Sequence, residues 1–195
     1  LHTSLPAGLL SSLQNCKGFS LDDFIRVHEN PESLTSVRIN PAKCTADQLS
    51  FTLQQPVPWS GFGFYLGERP SFTLDPVFHA GAYYVQEASS MFLEQALRQT
   101  CPLGAQLKVL DLCAAPGGKS TLIQSVISPE SLLVSNEVIK TRVNVLAENL
   151  TKWGAVNTVV TNNDPKDFQR IPGFFAVVLV DPPCSGSGLF RKDPA

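Results

Sequence analysis

Asp181-Pro182-Pro183-Cys184-Ser185-Gly186 sets a carboxylate, two prolines and a thiol directly after the apolar run Ala176-Val177-Val178-Leu179-Val180. A short apolar run bounded by turn residues reads as a buried strand. In open α/β sheets, ligands bind outside the carboxyl ends of the strands. This segment therefore predicts an acid, a rigid turn and a soft nucleophile on a binding rim. A second chemical loop is Asp111-Leu112-Cys113-Ala114-Ala115-Pro116-Gly117-Gly118-Lys119-Ser120, at the end of an apolar stretch over 107–112. Its small residues let a ligand approach the backbone, and the helix that follows favours polar or anionic groups at its N-terminus. Two phosphate-binding spellings fail here. A P-loop requires glycine at position 113, which is Cys113, and Gly-x-Gly-x-x-Gly is absent.

Acids recur where further strands should end. Glu137 follows an apolar run over 132–136, Asp164 follows one over 158–161, and Asp181 follows the one over 176–180. A carboxylate in the Glu137 position accepts hydrogen bonds from a ribose diol, and one in the Asp164 position accepts from an adenine amino group. Each acid alone is more often a solvated helix cap or turn residue. Together on one rim they favour a nucleoside-containing cofactor without phosphates, and S-adenosylmethionine fits.

These loops need a scaffold of alternating strands and helices. The spacing predicts helices over 86–100, 119–126 and 140–153, the last stopped by Gly154, and strands over 107–112, 132–136, 158–161 and 176–180. Such alternation implies a parallel sheet covered on both faces. The earlier part of the chain reads differently. Leu5, Leu9, Leu10 and Leu13 fall at helical spacing behind Pro6, and Ser20 can cap a second helix carrying Leu21, Phe24, Ile25 and His28. Residues 36–40 read as a strand with Val37 and Ile39 inward and Arg38 outward. The Pro-, Gly- and aromatic-rich stretch 54–82 reads as short strands and turns, with the domain seam near 75–82. The expected organisation is a small α+β domain over 1–80 and an α/β, Rossmann-like domain over 81–195.

Composition sets outer bounds. The chain has 195 residues, 43% hydrophobic and 16% charged, which predicts a packed core. A net charge of −2 does not point to nucleic acid, so any RNA surface must be local or lie elsewhere. Five cysteines without metal-ligand spacing argue against a metal site and fit a reducing, cytoplasmic setting. No run is apolar and long enough to span a membrane, and Leu1-His2-Thr3-Ser4 does not read as a signal peptide but as a trimmed start.

Cys113 to Ser120, Asp181 to Gly186 and Tyr84-Val85-Gln86-Glu87-Ala88-Ser89-Ser90-Met91 resemble the Nop/Sun family of RNA (cytosine-5) methyltransferases. The Gln-Glu-Ala-Ser-Ser-Met stretch looks most like its bacterial ribosomal RNA small-subunit methyltransferase F group. The resemblance runs from Val37 to Pro194. It implies a Rossmann-like S-adenosylmethionine-dependent methyltransferase sheet, truncated after its fourth strand. It also implies that Cys113, Ala114, Ala115, Pro116, Gly117, Gly118, Lys119, Glu137, Asp164 and Asp181 contact the cofactor, and that RNA is the substrate, ribosomal RNA being favoured and transfer RNA the alternative.

Carbon 5 of cytosine is a poor nucleophile, and a thiolate adding to carbon 6 activates it. Asp181 is placed to act at ring nitrogen 3. Cys184 is open to two assignments, attacking thiol or helper in product release. The resemblance implies the second, with the attacking cysteine in a Thr-Cys motif after the next strand, beyond residue 195. The expectation is a chain that holds cofactor-site parts but does not complete methyl transfer alone. A non-catalytic RNA-binding or assembly module that keeps the fold is the rival. Arg191 and Lys192 are candidates for an RNA phosphate, as is Arg38. Trp59, Phe62, Phe64 and Tyr65 are expected to form a small N-terminal core rather than a base-stacking surface. Cys16, Cys44 and Cys101 read as structural.

Overall fold

The computed structural model describes residues 5–29 and 34–182. They fall into two compact units, one of 34–181 and a smaller one that includes 5–29 and residue 182. In the smaller unit, helix α1 spans Ala7–Leu13 behind Pro6, and α2 spans Leu21–Glu29. The Ser20 hydroxyl accepts from the Asp23 N–H at 3.3 Å, supplying an N-terminal hydrogen bond that the helix backbone cannot make for itself.

The larger unit contains two four-stranded sheets among its described residues. In the first, β1 (Thr35–Ile39), β2 (Leu53–Pro56), β3 (Gly63–Leu66) and β4 (Tyr83–Val85) run in the antiparallel order β2-β3-β1-β4. A short helix, α3 (Pro76–His79), is capped by the Asp75 carboxylate and leads into β4. Pairing of Val37 with Val85 and of Ile39 with Tyr83 carries this sheet past the seam expected at residue 80. The composition changes at the turn before β4, whereas the hydrogen bonding ends after it.

A 3₁₀ turn (Ala88–Phe92) and α4 (Leu93–Thr100) follow where one long helix is expected. The second sheet is parallel: β5 (Lys108–Asp111), β6 (Leu132–Asn136), β7 (Thr158–Thr161) and β8 (Val177–Leu179) lie in the order β7-β6-β5-β8. Helices α5 (Gly118–Val126) and α6 (Lys140–Trp153) provide two of the crossovers. Alignment of Val109, Leu133, Leu122 and Ile123 in one buried core holds α5 on the sheet. Cover on both faces is incomplete among the described residues. The row Val178, Leu110, Val134 and Val159 is in register, yet Val178 and Val159 are about half exposed. The β7–β8 link carries a 3₁₀ turn (Pro165–Arg170) instead of a full helix there.

Two sequence expectations need correction. Trp59 and Tyr65 pack against the core that contains Val109 and Leu122, not only within the antiparallel part, while Phe64 packs with Val37 and Tyr83. Trp59 also donates its indole N–H to the Ala88 carbonyl at 2.7 Å. Arg38 does not face outward. It is fully buried, because the second face of β1 lies against α5 and Trp153 rather than water. Its guanidinium donates to Gln86 Oε1, Thr121 O and Oγ1, Ser125 Oγ and Gly118 O at 2.5–3.2 Å. Its Cζ lies 4.6 Å from the Trp153 ring centroid. Burial pulls the guanidinium down to about 9, so it remains charged at neutral pH. An RNA contact by this side chain is therefore ruled out in this conformation.

Candidate cofactor site

The 113–118 loop is shaped from below by β6 and from the side by α6. The Ala114 N–H donates to Asn136 O at 2.8 Å, and Asn136 Nδ2 donates to Leu112 O and Asn163 O. Asn136 Oδ1 accepts from Thr161 Oγ1 and the Asn163 N–H. One fully buried amide thus ties the ends of three successive strand regions together. From α6, Arg142 donates to Ala115 O at 2.6 Å and Asn149 donates to Pro116 O at 2.7 Å. Leu146, between them on the same helical face, packs on Ala114 and Ala115. Gly117 caps α5 with φ +112°, a left-handed conformation that favours glycine. There, a Cβ would meet Leu146 Cδ1 at 3.4 Å.

The loop opens on a cleft of about 230 Å³. Cys113, Ala114, Ala115, Pro116, Gly118, Lys119 and Asp181 line it, facing the segment from Tyr84 to Glu87 and Ser90. Seven residues expected on this rim therefore meet in one place. Glu137 lies at the end of β6, 3% exposed; its Oε1 accepts from the Ile139 N–H at 2.9 Å, and Oε2 lies 3.4 Å from Arg142 Nη1. Asp164 is exposed, and its Oδ1 accepts from the Lys166 N–H at 2.9 Å, the behaviour of an N-cap. Neither Glu137 nor Asp164 lines the cleft itself. Cys184, Arg191 and Lys192 lie outside the described residues.

Charge converges on this loop. The Cys113 thiol is pushed up by burial and then by Glu137, Asp111 and Asp181, with Arg142 opposing. A thiol held protonated is a wall of the site, not a nucleophile. Lys119 is ion-paired with Asp181, which leaves little positive charge for a phosphate. Asp111, which opens the second chemical loop but has no role assigned from sequence, is fully buried at the end of β5. Its Oδ2 accepts from Ser120 Oγ at 2.6 Å, and Ser135 Oγ donates on to Ser120 at 2.8 Å. Its Oδ1 is the one buried side-chain polar atom without a hydrogen-bond partner among the described residues. Burial raises Asp111 to about 6, with Asp181 and Glu137 adding to the rise and Ser120 and Lys119 opposing it. The rule that flagged Glu137, an acid at a strand end, would have found it. Arg142 and Asn149, seven apart on one face of α6, were also missed.

Three carboxylates around a small-residue loop on a parallel sheet suit a ligand that is polar, cationic and not phosphorylated. The fold is that of a Rossmann-like methyltransferase. Over residues 102–195 the chain matches the family described as 16S rRNA methyltransferase RsmB/F, and over 5–88 the N-terminal domain of 16S rRNA methyltransferase RsmF. Ribosomal RNA small subunit methyltransferase F of Pectobacterium atrosepticum is 36% identical over 207 residues, across 98% of this chain and 42% of that protein. A methyltransferase homolog protein from Pyrococcus horikoshii superimposes with a TM-score of 0.71 at 27% identity, covering 94% of this chain and 65% of its own. The crystal structure of PH0851 superimposes with a TM-score of 0.82 over 97% of this chain and 44% of its own, at 23% identity, a likeness of fold. The chain belongs to the RsmB/RsmF family of Nop/Sun-type methyltransferases. It spans less than half the length of the curated relative.

Proposed function

We propose that this chain supplies the cofactor half of a methyltransferase that uses S-adenosylmethionine to methylate carbon 5 of a cytosine in small-subunit ribosomal RNA. The observation that carries the reading is the convergence of Asp111, Glu137 and Asp181 on the 113–118 loop. The residues present fit the group. The buried, unpaired Asp111 oxygen and the cluster of negative charge favour a cationic, donor-bearing ligand, and the carboxylate of Glu137 suits a ribose diol. S-adenosylmethionine, when bound, supplies an electrophilic methyl group. Cys113 to Lys119 and Asp181 would hold it, with Asp164 at its adenine end. Arg142 and Asn149 fix the loop carbonyls in advance, so the rim is largely preorganised.

At the reacting base, Asp181 is the group proposed to act at ring nitrogen 3, and its pairing with Lys119 holds it at the mouth of the cleft. Cys184 is proposed to assist product release after a second thiol, from a region the longer relatives possess, has attacked carbon 6. The part of the chain before the seam is proposed to bind RNA, and the setting is proposed to be cytoplasmic. No helix among the described residues is long and apolar enough to cross a membrane.

Two measurements test this reading. Titration calorimetry with S-adenosylmethionine should give saturable binding by the protein, weakened at least about tenfold by Glu137→Ala, the scale of a lost hydrogen bond to a charged group. Bisulfite sequencing of small-subunit ribosomal RNA should find one cytosine that loses its methyl mark when the gene is deleted. Absence of cofactor binding, or unchanged marks, overturns the proposal.

A further inference from the structure

A second pocket, of about 170 Å³, shares Tyr84 and Val85 with the cofactor cleft. Phe78, Tyr83 and Trp153 add three more aromatic rings, and Asn149 and Lys152 add the polar groups. The pocket is a built feature. Gly81, at φ +72°, brings the turn before β4 against the end of α6; a Cβ there would lie 1.8 Å from Lys152 O. Asn40 Nδ2 donates to Gly81 O and Trp153 O at 3.0 and 2.9 Å. Lys43 Nζ donates to Ala80 O and Lys152 O at 2.9 and 2.6 Å. The rings are fixed as well: Tyr83 donates its hydroxyl to Asp75 at 2.8 Å, and Trp153 lies under the Arg38 guanidinium.

Tyr83 and Trp153 are buried and form the pocket's floor, and the partly exposed rings of Phe78 and Tyr84 give it the chemistry of a base-stacking site. Aromatic faces bind any flat heterocycle without regard to its hydrogen-bonding edge. The pocket's volume of about 170 Å³ has room for one ring system. Lys152, which lines the pocket and is also paired with Glu148, has its ammonium 5.8 Å from the Phe78 ring centroid. The Lys152–Glu148 pair is a solvent-exposed contact of the weak kind, so this ammonium suits a phosphate beside an inserted base.

We infer that this pocket receives an unpaired base of the RNA substrate, next to the base presented to the cofactor cleft. The inference rests on the RNA reading proposed above. Contact between the two sites runs through two side chains. Asn149 lines this pocket while holding Pro116 O of the cofactor loop, and Tyr84 lies close enough to Gly118 that a Cβ there would sit 3.3 Å from its ring. A base seated here would press on the residues that shape the cofactor loop.

The test uses the intact protein and a short single-stranded oligoribonucleotide carrying 4-thiouridine. Photocrosslinking followed by peptide mass spectrometry should place the adduct on Phe78, Tyr84 or Lys152. Phe78→Leu, which keeps apolar volume but removes the stacking face, should weaken oligonucleotide binding about tenfold or more. Affinity for S-adenosylmethionine should stay within about twofold, a ratio worth well under 1 kcal/mol. If Phe78→Leu fails to fold, Lys152→Gln gives the same comparison, with a loss of about threefold or more from the phosphate contact and a smaller salt dependence. Crosslinks that map elsewhere, or variants that bind RNA like the parent protein, overturn the inference while leaving the methyltransferase reading intact. A parent protein that binds cofactor but no RNA overturns both the inference and its RNA premise.

Discussion

Strands β1 and β5 sit inside their respective sheets, and each buries one charge completely: Arg38 on β1 and Asp111 on β5. The two charges are treated differently. Every nitrogen of the Arg38 guanidinium donates a hydrogen bond to a neutral partner, and its face is covered by Trp153. Asp111 has one oxygen satisfied by Ser120 and the other unpaired. A fully bonded buried ion is part of the frame, holding β1 against the start of α5. A half-bonded one leaves a buried acceptor unpaired, which is costly, and under the proposed function that cost is tolerated for the negative charge it adds behind the cofactor loop. The difference agrees with the proposed functional rim on the parallel sheet, which the antiparallel sheet helps to fix through Arg38.

The largest expected effect tests the frame. Arg38→Ala removes five hydrogen bonds and a packed side chain at once, so urea unfolding should show a loss of about 3–5 kcal/mol. Arg38→Lys keeps the charge but cannot reproduce the fork, and should fall between the two. A loss below about 1 kcal/mol for Arg38→Ala would break the comparison, because the clamp would then hold nothing.

Asp111 should behave in the opposite sense. Its carboxyl is raised to about 6 by burial, above its ordinary value of 3.8. The native state therefore holds a proton that the unfolded state has released between those values. Stability contributed by this group is greatest below about pH 4, declines as pH rises to about 6, and is flat above. The difference is on the order of 2–3 kcal/mol. Asp111→Asn should flatten that segment of the stability–pH curve and raise stability at pH 7, while weakening cofactor binding about tenfold or more. An unchanged pH profile would mean that Asp111 is no more strained than Arg38.

The same contrast explains what the sequence made legible. Helix α6 and strands β6 and β7 are found where periodicity puts them, because their apolar spacing is local information. Cys113 to Pro116, Gly118, Lys119 and Asp181 line one cleft because strand ends converge in a parallel sheet. Arg38 was misread because alternation says which residues share a face and not what covers it. Its cover, Thr121 and Ser125, lies more than eighty positions away. The reach of Arg142 and Asn149 to loop carbonyls was equally invisible, since their partners, Ala115 and Pro116, lie across the crossover from β6.

A smaller effect should follow from Asn149→Ala. Loss of one neutral hydrogen bond to Pro116 O, on a partly exposed side chain, should cost about 0.5–1.5 kcal/mol in thermal unfolding. Cofactor affinity should fall more than that figure alone predicts from stability, because the loop loses its fixed carbonyl. Equal losses in both would make Asn149 a frame residue like Arg38.

The smallest change in stability is expected at the mouth of the cleft. Asp181 is about half exposed and Lys119 about one third exposed, so their ion pair should contribute only about 0–1 kcal/mol. Asp181→Asn should therefore leave the unfolding midpoint in urea nearly where it was, yet move the titration of a residue it does not bond. The Asp181 charge raises Asp111, and the Lys119 charge lowers it. Replacing Asp181 removes the first influence and frees Lys119 to exert the second, so both changes act in the same direction. The pH step assigned to Asp111 should shift below about 6 in a carboxyl-selective NMR titration, with stability at neutral pH slightly increased. An unmoved step would mean that the two carboxylates do not sense one another, and the rim would lose the electrostatic convergence on which its preference for a cationic ligand rests.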